Sequence, residues 1–317
     1  MQILNVQQLK KEFGDEVLFE NVSFSINDND RLALIGPNGN GKSTLIKILL
    51  GQIDKTSGDV SFAKGTTIGY LSQDVISNVD NTLNDEVLSV FNDLILQEKN
   101  LNDLENMISN DPNNLKLIDE YGKKQNDFLE KGGYNYHYLI NMMLSKFGFH
   151  KNDLIRKISS FSGGERTKIA FVKLLLIKPN LLILDEPTNH LDLSTIEWLE
   201  QYLKSYQGAL LFVSHDRYFI DALANKIVEI ENKTSSFYKG NYSYYIEEKK
   251  LRYTQQLNAY NNQQKEIARL KRFIEYYMPK PRFVNRAKDR EKKLEHMKLI
   301  DKPLQEKHNL KLSFNGE

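Results

Sequence analysis

Residues 36–44 of the chain read Gly36-Pro37-Asn38-Gly39-Asn40-Gly41-Lys42-Ser43-Thr44. This stretch fits the pattern G-x-x-x-x-G-K-[ST] without a mismatch. An apolar run, residues 32–35, precedes it, and a helical pattern, residues 45–50, follows it. Strand, loop and helix therefore come in the order that a phosphate-binding loop requires, although glycine-rich turns between a strand and a helix also occur without a ligand.

The residue types in this loop suit phosphate binding. Glycines let consecutive backbone N–H groups point inward, and the next helix brings its positive N-terminus to the same place. Lys42 adds a full charge for the β- and γ-phosphates, and the hydroxyl of Ser43 suits Mg²⁺. The loop therefore predicts a nucleotide and Mg²⁺ as ligands.

The composition predicts a folded protein of two units. The chain has 317 residues, of which 40% are hydrophobic and 27% charged, as in globular domains. It has no cysteine, which excludes disulfides and thiolate metal sites. The sequence does not open on a signal peptide, and no apolar run approaches the roughly 20 residues that span a bilayer. We therefore expect a cytoplasmic protein without a transmembrane segment of its own.

Two parts of the chain differ in charge and in pattern. Residues 241–317 hold 18 Lys and Arg against 10 Asp and Glu, whereas residues 1–240 hold 25 against 32. In the acidic part, buried strand patterns alternate with helical ones, and residues 74–160 are a mostly helical insertion. In the basic part, two helices are predicted over 242–277 and 283–300, separated by a proline-containing turn. The domain boundary is therefore expected near residue 240.

A pair of carboxylates closes the apolar run 181–184. Asp185, at the end of a buried strand, is expected to reach Mg²⁺ or its waters, since this is the usual partner of a phosphate loop. Glu186 is then placed to orient and deprotonate an attacking water. A strand that merely leaves the core has the same local pattern, but the phosphate loop favours the catalytic interpretation.

A second turn suited to phosphate precedes this strand. Ser162, Gly163, Gly164 and Glu165 come directly before a helix predicted over 166–177, and a helix start of this kind binds phosphate. Because a single nucleotide has no use for two complete cradles, we expect a site shared between two domains or subunits.

Together these motifs resemble the nucleotide-binding domain of the ATP-binding cassette superfamily, over residues 1 to about 240. Residues 162–165 match its signature turn, Gln73 its glutamine loop, residues 189–192 its D-loop and residues 214–216 its switch histidine. The fold class that this resemblance implies is α/β, a P-loop NTPase cassette. It consists of a mixed sheet core, an antiparallel β subdomain and a helical subdomain, and a long helical-hairpin linker follows it.

A narrower resemblance is to the ABC-F branch. It rests on the runs 186–192, 214–219 and 240–245 and on the basic segment 286–290, which is similar to the linker between the two cassettes of that family. Family proteins are single chains with two cassettes and no transmembrane domain, and characterised members bind the ribosome near the peptidyl-tRNA. This chain departs from them because it stops at 310–317, where the second cassette is expected to begin. We interpret it as truncated there.

The resemblance also implies a role for each matched residue. The implied catalytic residues are Glu186 as the base, His215 at the γ-phosphate and Gln73, and the implied metal ligands are Ser43, Gln73 and Asp185. The implied nucleotide-binding residues are Phe13, Gly36, Asn38, Gly39, Asn40, Gly41, Lys42, Ser43, Thr44, Ser162, Gly163, Gly164 and Glu165. Within this set, Ser162 and Gly164 would cover the nucleotide of the opposite cassette. For Phe13, which would stack on adenine, burial in the core is an equal alternative, and Phe19 competes for the role.

The expected function follows from the same resemblance. We expect an ABC-F ATPase, with ATP and Mg²⁺ as cofactors, whose closed two-cassette form binds the ribosome and whose hydrolysis drives release. It would act as a translation factor or in antibiotic resistance. Its partners would be a second cassette and, through the basic helices, ribosomal RNA and tRNA, unless those helices are only a rigid spacer. The single cassette is expected to have weak ATPase activity.

Two other classes of protein share part of this pattern. The energy-coupling subunit of a membrane transporter is the alternative, because it has the same cassette motifs. A chromosome or DNA-repair ATPase is a third candidate, but it requires much longer coiled coils between its motifs.

Overall fold

The computed structural model describes residues 1–71, 78–189 and 191–303. The strands are β1 (Gln2–Phe13), β2 (Glu16–Asn27), β3 (Arg31–Ile35), β4 (Ser57–Phe62), β5 (Ile68–Tyr70), β6 (Leu181–Asp185), β7 (Ala209–Val213), β8 (Lys226–Glu231) and β9 (Thr234–Tyr238). The helices are α1 (Lys42–Leu49), α2 (Leu83–Leu88), α3 (Asn92–Asn110), α4 (Leu115–Glu130), α5 (Tyr136–Lys146), α6 (Gly163–Ile177), α7 (Leu193–Lys204), α8 (Arg217–Leu223), α9 (Tyr242–Tyr277) and α10 (Val284–Glu295).

The strands form two sheets. In the first, β1 pairs antiparallel with both β2 and β4. The second has the order β5-β6-β7-β3-β8-β9 and is parallel except for β9, which pairs antiparallel with β8. Strands β3 and β7 are buried along their whole length, as expected for parallel strands covered on both faces. The predicted fold class, with a mixed sheet, an antiparallel sheet and a helical insertion, is confirmed.

Helix α1 packs in a core that both sheets share. Its apolar side chains, among them Leu45 and Ile46, belong to one buried cluster with side chains of β1, β2, β3, β6, β7 and β8. Full burial of one such side chain contributes about 1.5–3 kcal/mol. The cluster therefore fixes α1, and with it the loop that precedes α1, at the carboxyl ends of the parallel strands.

The last two helices belong to a second compact unit, which begins at Ser243. Helix α9 has the predicted bounds, but α10 ends at Glu295 and not at residue 300. Beyond this end, the amide of Gln263 bonds to the backbone of the next residues: its Nε2 donates to the carbonyl oxygen of Lys298 and its Oε1 accepts from the N–H of Ile300, both at 2.8 Å. Backbone groups bonded to a side chain in this way are not available to continue the helix.

No helix within the described ranges has both the length and the apolar content needed to cross a membrane.

Candidate functional site

The loop between β3 and α1 depends on glycine at several positions. The backbone φ angle is 144° at Gly36, 85° at Gly39 and 88° at Gly41, in a region that L side chains rarely adopt. A Cβ atom on Gly36 would also overlap with the backbone carbonyl of Ile230 in β8. The same carbonyl oxygen accepts a hydrogen bond of 3.1 Å from Nδ2 of Asn40. Strand β8 therefore supports the loop from behind, at a distance that only glycine permits.

The side chain of Lys42 lies inside this loop. Only 8% of Lys42 is exposed, and its ammonium donates to the carbonyl oxygens of Gly36 at 2.7 Å and Pro37 at 3.1 Å. Burial lowers the pKa of Lys42, and the nearby carboxylates of Glu186 and Asp185 partly oppose this effect. The first turn of α1 contains no acidic residue. A buried cation at the N-terminus of a helix fits a polyanion such as a triphosphate.

Strand β6 brings a carboxylate to the same edge of the sheet. The hydroxyl of Ser43 donates to Oδ2 of Asp185 at 3.1 Å. Mg²⁺ prefers oxygen ligands and usually binds through one or two protein groups together with phosphate oxygens and waters. Hydroxyl and carboxylate oxygens at this distance, beside a phosphate loop, therefore fit Mg²⁺ bound together with a nucleotide.

Glu186 follows with a left-handed backbone, at a φ angle of 52°. Its N–H donates to the carbonyl oxygen of Val213 in β7 at 3.0 Å, and its Oε2 accepts from the backbone N–H of His215 at 3.2 Å. Oε1 is buried and has no hydrogen-bond partner among the described residues, and Nε2 of His215 lies 3.4 Å from it. A buried oxygen with an unused acceptor site suits a base that binds a water molecule and takes its proton.

The two aromatic candidates for base stacking differ in burial. Phe19 is fully buried in the core beneath α1, whereas Phe13 is 55% exposed at the end of β1. A Cβ atom on Gly41 would lie 2.8 Å from the ring of Phe19. Phe19 therefore acts as a packing residue under the loop, and Phe13 is the ring that has surface available for a base.

The second predicted turn begins α6, three residues before the predicted helix start. Ser162 is the N-cap: its Oγ accepts from the N–H of Glu165 at 3.3 Å, and Oε2 of Glu165 accepts from the N–H of Ser162 at 2.8 Å. This capping box satisfies donors of the first turn, so Gly163 and Gly164 are already helical. The backbone hydrogen bond from Ser162, together with that from its hydroxyl, lowers the pKa of Glu165. Outside the adjacent residues and the backbone of α6 itself, no described atom lies within 4 Å of a Cβ placed on either glycine.

Apart from Phe13 at the end of β1 and from Gln73, the predicted site residues fall into two groups. The first converges at the carboxyl ends of β3, β6 and β7 and comprises residues 36–44 with Asp185, Glu186 and His215. The second is the turn 162–165 on α6, and no hydrogen bond between described residues joins it to the first group. Gln73 lies outside the described residues, as does His190 of the D-loop, so their roles stay predictions.

Sequence reasoning missed two contacts, one at the phosphate loop and one at Phe13. The carbonyl oxygen of Ile230 leaves no room for a side chain at position 36. It lies 190 residues from Asn40 and is a backbone group, so no sequence pattern predicts the contact. Lys11 places its ammonium 4.7 Å from the ring centroid of Phe13. Its spacing of two residues from Phe13 on a strand was the available signal, because such residues share a face.

Comparison with known proteins gives the family context. A sequence profile described as ABC transporter matches residues 19–189, and a second with the same description matches residues 228–314. The chain is 41% identical over 317 residues to the putative ATP-binding protein YdiF of Bacillus subtilis, covering 99% of this chain and 49% of that protein. It is 35% identical over 319 residues to ABC transporter F family member 2 of Arabidopsis thaliana, with coverages of 98% and 47%.

A third relative is named for its action. The chain is 35% identical over 247 residues to the energy-dependent translational throttle protein EttA of Mycobacterium tuberculosis, covering 78% of this chain and 44% of that protein. The chain thus spans about half the length of the curated relatives it matches. Among solved structures, an ATP-binding subunit of an ABC transporter matches with a TM-score of 0.54 at 22% identity, covering 75% of this chain and 90% of that one. At this identity the likeness concerns the fold alone.

Proposed function

The chain belongs to the ABC transporter family of ATP-binding cassettes, with ABC-F proteins among its relatives, and from that premise we propose that it binds and hydrolyses ATP with Mg²⁺. Its site is completed by a second cassette. The closed two-cassette form binds the ribosome and acts on translation, as a translation factor or in protection from antibiotics, and hydrolysis drives release. One observation carries the ATPase proposal: β3, β6 and β7 end together and bring Lys42, Asp185 and Glu186 to one edge.

The residues at this edge of the sheet have different roles in phosphoryl transfer. Mg²⁺, when bound, supplies charge neutralisation at the phosphates. Ser43 and Asp185 hold it directly or through water, with Gln73 as a further proposed ligand. Lys42, Thr44 and the loop N–H groups bind the phosphates, because the helix N-terminus and the glycine backbone favour anions. The exposed ring of Phe13 stacks on the base.

Glu186 is the proposed general base. Its Oε2 is fixed by the backbone N–H of His215, so the carboxylate has one orientation. The buried Oε1 then accepts a hydrogen bond from the attacking water and takes its proton. The imidazole of His215, which is exposed, is the proposed contact to the γ-phosphate.

The exposed signature turn supports a second cassette. Its capping box is complete within the chain, yet Gly163 and Gly164 face open surface. A helix start without side chains at its first two positions suits close approach of an anion from another molecule or domain. We assign it to the nucleotide of the opposite cassette, in a head-to-tail arrangement.

The basic helices support contact with ribosomal RNA and tRNA. Arg282, Arg286 and Lys288 are exposed near the turn between α9 and α10. Tyr276 is 61% exposed in the same region, and the ammonium of Lys280 lies 3.3 Å from its ring centroid. Exposed cations bind phosphates and exposed aromatic rings stack on unpaired bases, and RNA-binding proteins combine the two interactions.

Replacing Glu186 with Gln tests the ATPase proposal. The amide keeps a hydrogen-bond acceptor for the N–H of His215 but does not accept a proton, so ATP affinity should stay within about twofold and turnover should fall at least about 100-fold. Calorimetry and phosphate release measure the two quantities, with Glu197→Gln on the exposed side of α7 as the matched control. Wild-type turnover per cassette should rise with protein concentration. Unchanged turnover in the variant would remove Glu186 as the base, and turnover independent of concentration would contradict a shared site.

Ribosome binding is tested with the same substitution in the proposed two-cassette protein. We expect the variant to co-sediment with ribosomes in the presence of ATP and to dissociate as salt is raised, because phosphate contacts are screened. Membrane vesicles are the parallel arm. Co-sedimentation with vesicles and not with ribosomes would favour the energy-coupling subunit of a transporter.

A further inference from the structure

The exposed ring of Phe13 has a cation over it. Lys11 and Phe13 are two residues apart on β1, and the contact between them places both side chains on the same side of the strand. Nζ of Lys11 lies 4.7 Å from the ring centroid, within the range of about 6 Å over which a cation is attracted to an aromatic ring. Because Phe13 is 55% exposed, the ring keeps free surface for another partner.

The ammonium of Lys11 is itself anchored. It donates to the backbone carbonyl oxygen of Asp54 at 2.8 Å, in the segment between α1 and β4. Two more hydrogen bonds join this segment to the end of β1: the N–H of Thr56 donates to the carbonyl oxygen of Lys10 at 2.9 Å, and the N–H of Glu12 donates to Oγ1 of Thr56 at 3.0 Å. The segment that follows the helix of the phosphate loop therefore fixes both the strand end and the lysine.

We propose that Lys11 is a positioning residue for nucleotide binding, which holds the ring of Phe13 from one face so that a purine base stacks on the other. The inference rests on the proposed function, since it takes Phe13 as the residue that meets the base. A ring already held in its orientation loses less conformational entropy when a base stacks on it. Lys11 acts through the ring and does not touch the nucleotide.

A double-mutant cycle separates this role from a direct effect of the lysine charge on the phosphates. Lys11→Met, Phe13→Leu and the double variant of the 317-residue chain are titrated by calorimetry with ATP and Mg²⁺. Methionine retains the apolar stem without the charge. We expect Lys11→Met to weaken ATP binding about two- to fivefold, Phe13→Leu to weaken it about tenfold, and the double variant to match Phe13→Leu. Inorganic tripolyphosphate, which has no base, should bind all four proteins equally.

Two single variants complete the design. Lys11→Arg keeps a cation over the ring and should restore wild-type affinity for ATP. Lys10→Met removes the neighbouring lysine, which pairs with Glu12 at 2.5 Å, and should leave ATP affinity unchanged. Thermal unfolding of each variant is the check that its fold is intact.

Several outcomes would overturn the inference. ATP binding by Lys11→Met as tight as that of wild type would show that the lysine is neutral. Tighter binding would place the lysine on the face of the ring that the base needs. An equal loss in the Phe13→Leu background, or weaker binding of tripolyphosphate, would show that Lys11 acts independently of the ring. A wild-type chain that binds tripolyphosphate but not ATP would overturn the stacking role of Phe13. Binding of neither ligand would overturn the proposed function itself, and this inference with it.

Discussion

The phosphate loop and the signature turn are both glycine-containing helix starts, but their glycines have opposite surroundings. In the loop, Gly36 has a φ angle of 144° and packs against the carbonyl of Ile230. In the turn, Gly163 and Gly164 have ordinary helical backbone and no described neighbour within 4 Å of a Cβ. The fold of the chain itself therefore requires glycine in the loop. The fold does not require glycine in the turn, and we attribute Gly163 and Gly164 to close contact with the nucleotide of a second cassette.

Adding one methyl group at each place should give the largest contrast. Gly36→Ala introduces a Cβ into the carbonyl of Ile230 at an unfavourable φ angle, so we expect a loss of about 3 kcal/mol in the free energy of unfolding. Gly163→Ala, at an exposed helical position, should stay within about 0.5 kcal/mol of wild type. Urea denaturation measures both. Similar losses in the two variants would remove the distinction between a required and a permitted glycine.

Adding a charge to the turn should have a smaller effect on stability than Gly36→Ala, but it should lower ATP turnover. Gly164→Asp places a carboxylate in the first turn of α6, where the helix dipole favours it, so stability should not fall. The same carboxylate should repel the phosphates of an opposite nucleotide and lower concentration-dependent ATP turnover at least about tenfold, with ATP affinity unchanged. Gly122→Asp, on an open surface of α4, is the matched control. Equal turnover in the two variants would contradict the assignment of the turn to a second cassette.

The smallest expected effect concerns the cap of the turn. Hydrogen bonds from Ser162 lower the pKa of Glu165 below its usual 4.5, so the carboxylate stabilises the folded chain above that pH. This contribution is lost as the pH falls through the lowered pKa. Because Ser162 is exposed and Glu165 is only partly buried, Glu165→Gln should cost less than about 1 kcal/mol at pH 7, and the difference from wild type should shrink between pH 5 and pH 3. Denaturation at several pH values measures it, and a constant difference would exclude the charged cap.

Local patterns predicted much of this molecule. The motif at residues 36–44 and the buried strand patterns predicted strands that alternate with helices around the loop, and the change in composition near residue 242 and the proline-containing turn after residue 277 predicted the two ends of α9. These features are set by neighbours in sequence. The start of α6 was placed too late, because two glycines argue against helix until the bonds between Ser162 and Glu165 are seen.

Contacts between distant residues account for what the sequence left open. Spacing alone did not decide between Phe13 and Phe19, because burial depends on how the first sheet packs on α1. The residues beyond α10 are not helical and bond to Gln263, which lies 35 residues from Lys298. The contact between the carbonyl of Ile230 and the loop is also between distant residues. It could not be predicted, because every residue type has a backbone carbonyl.

Helix α9 is a single unbroken element of 36 residues. At a rise of about 1.5 Å per residue it is roughly 54 Å long. A rotation of about 10° at Tyr242 would therefore carry Tyr277 through roughly 9 Å, on the same helical rise. In a straight helix of this length, a small change of direction at one end would become, at the other, a displacement larger than an aromatic side chain.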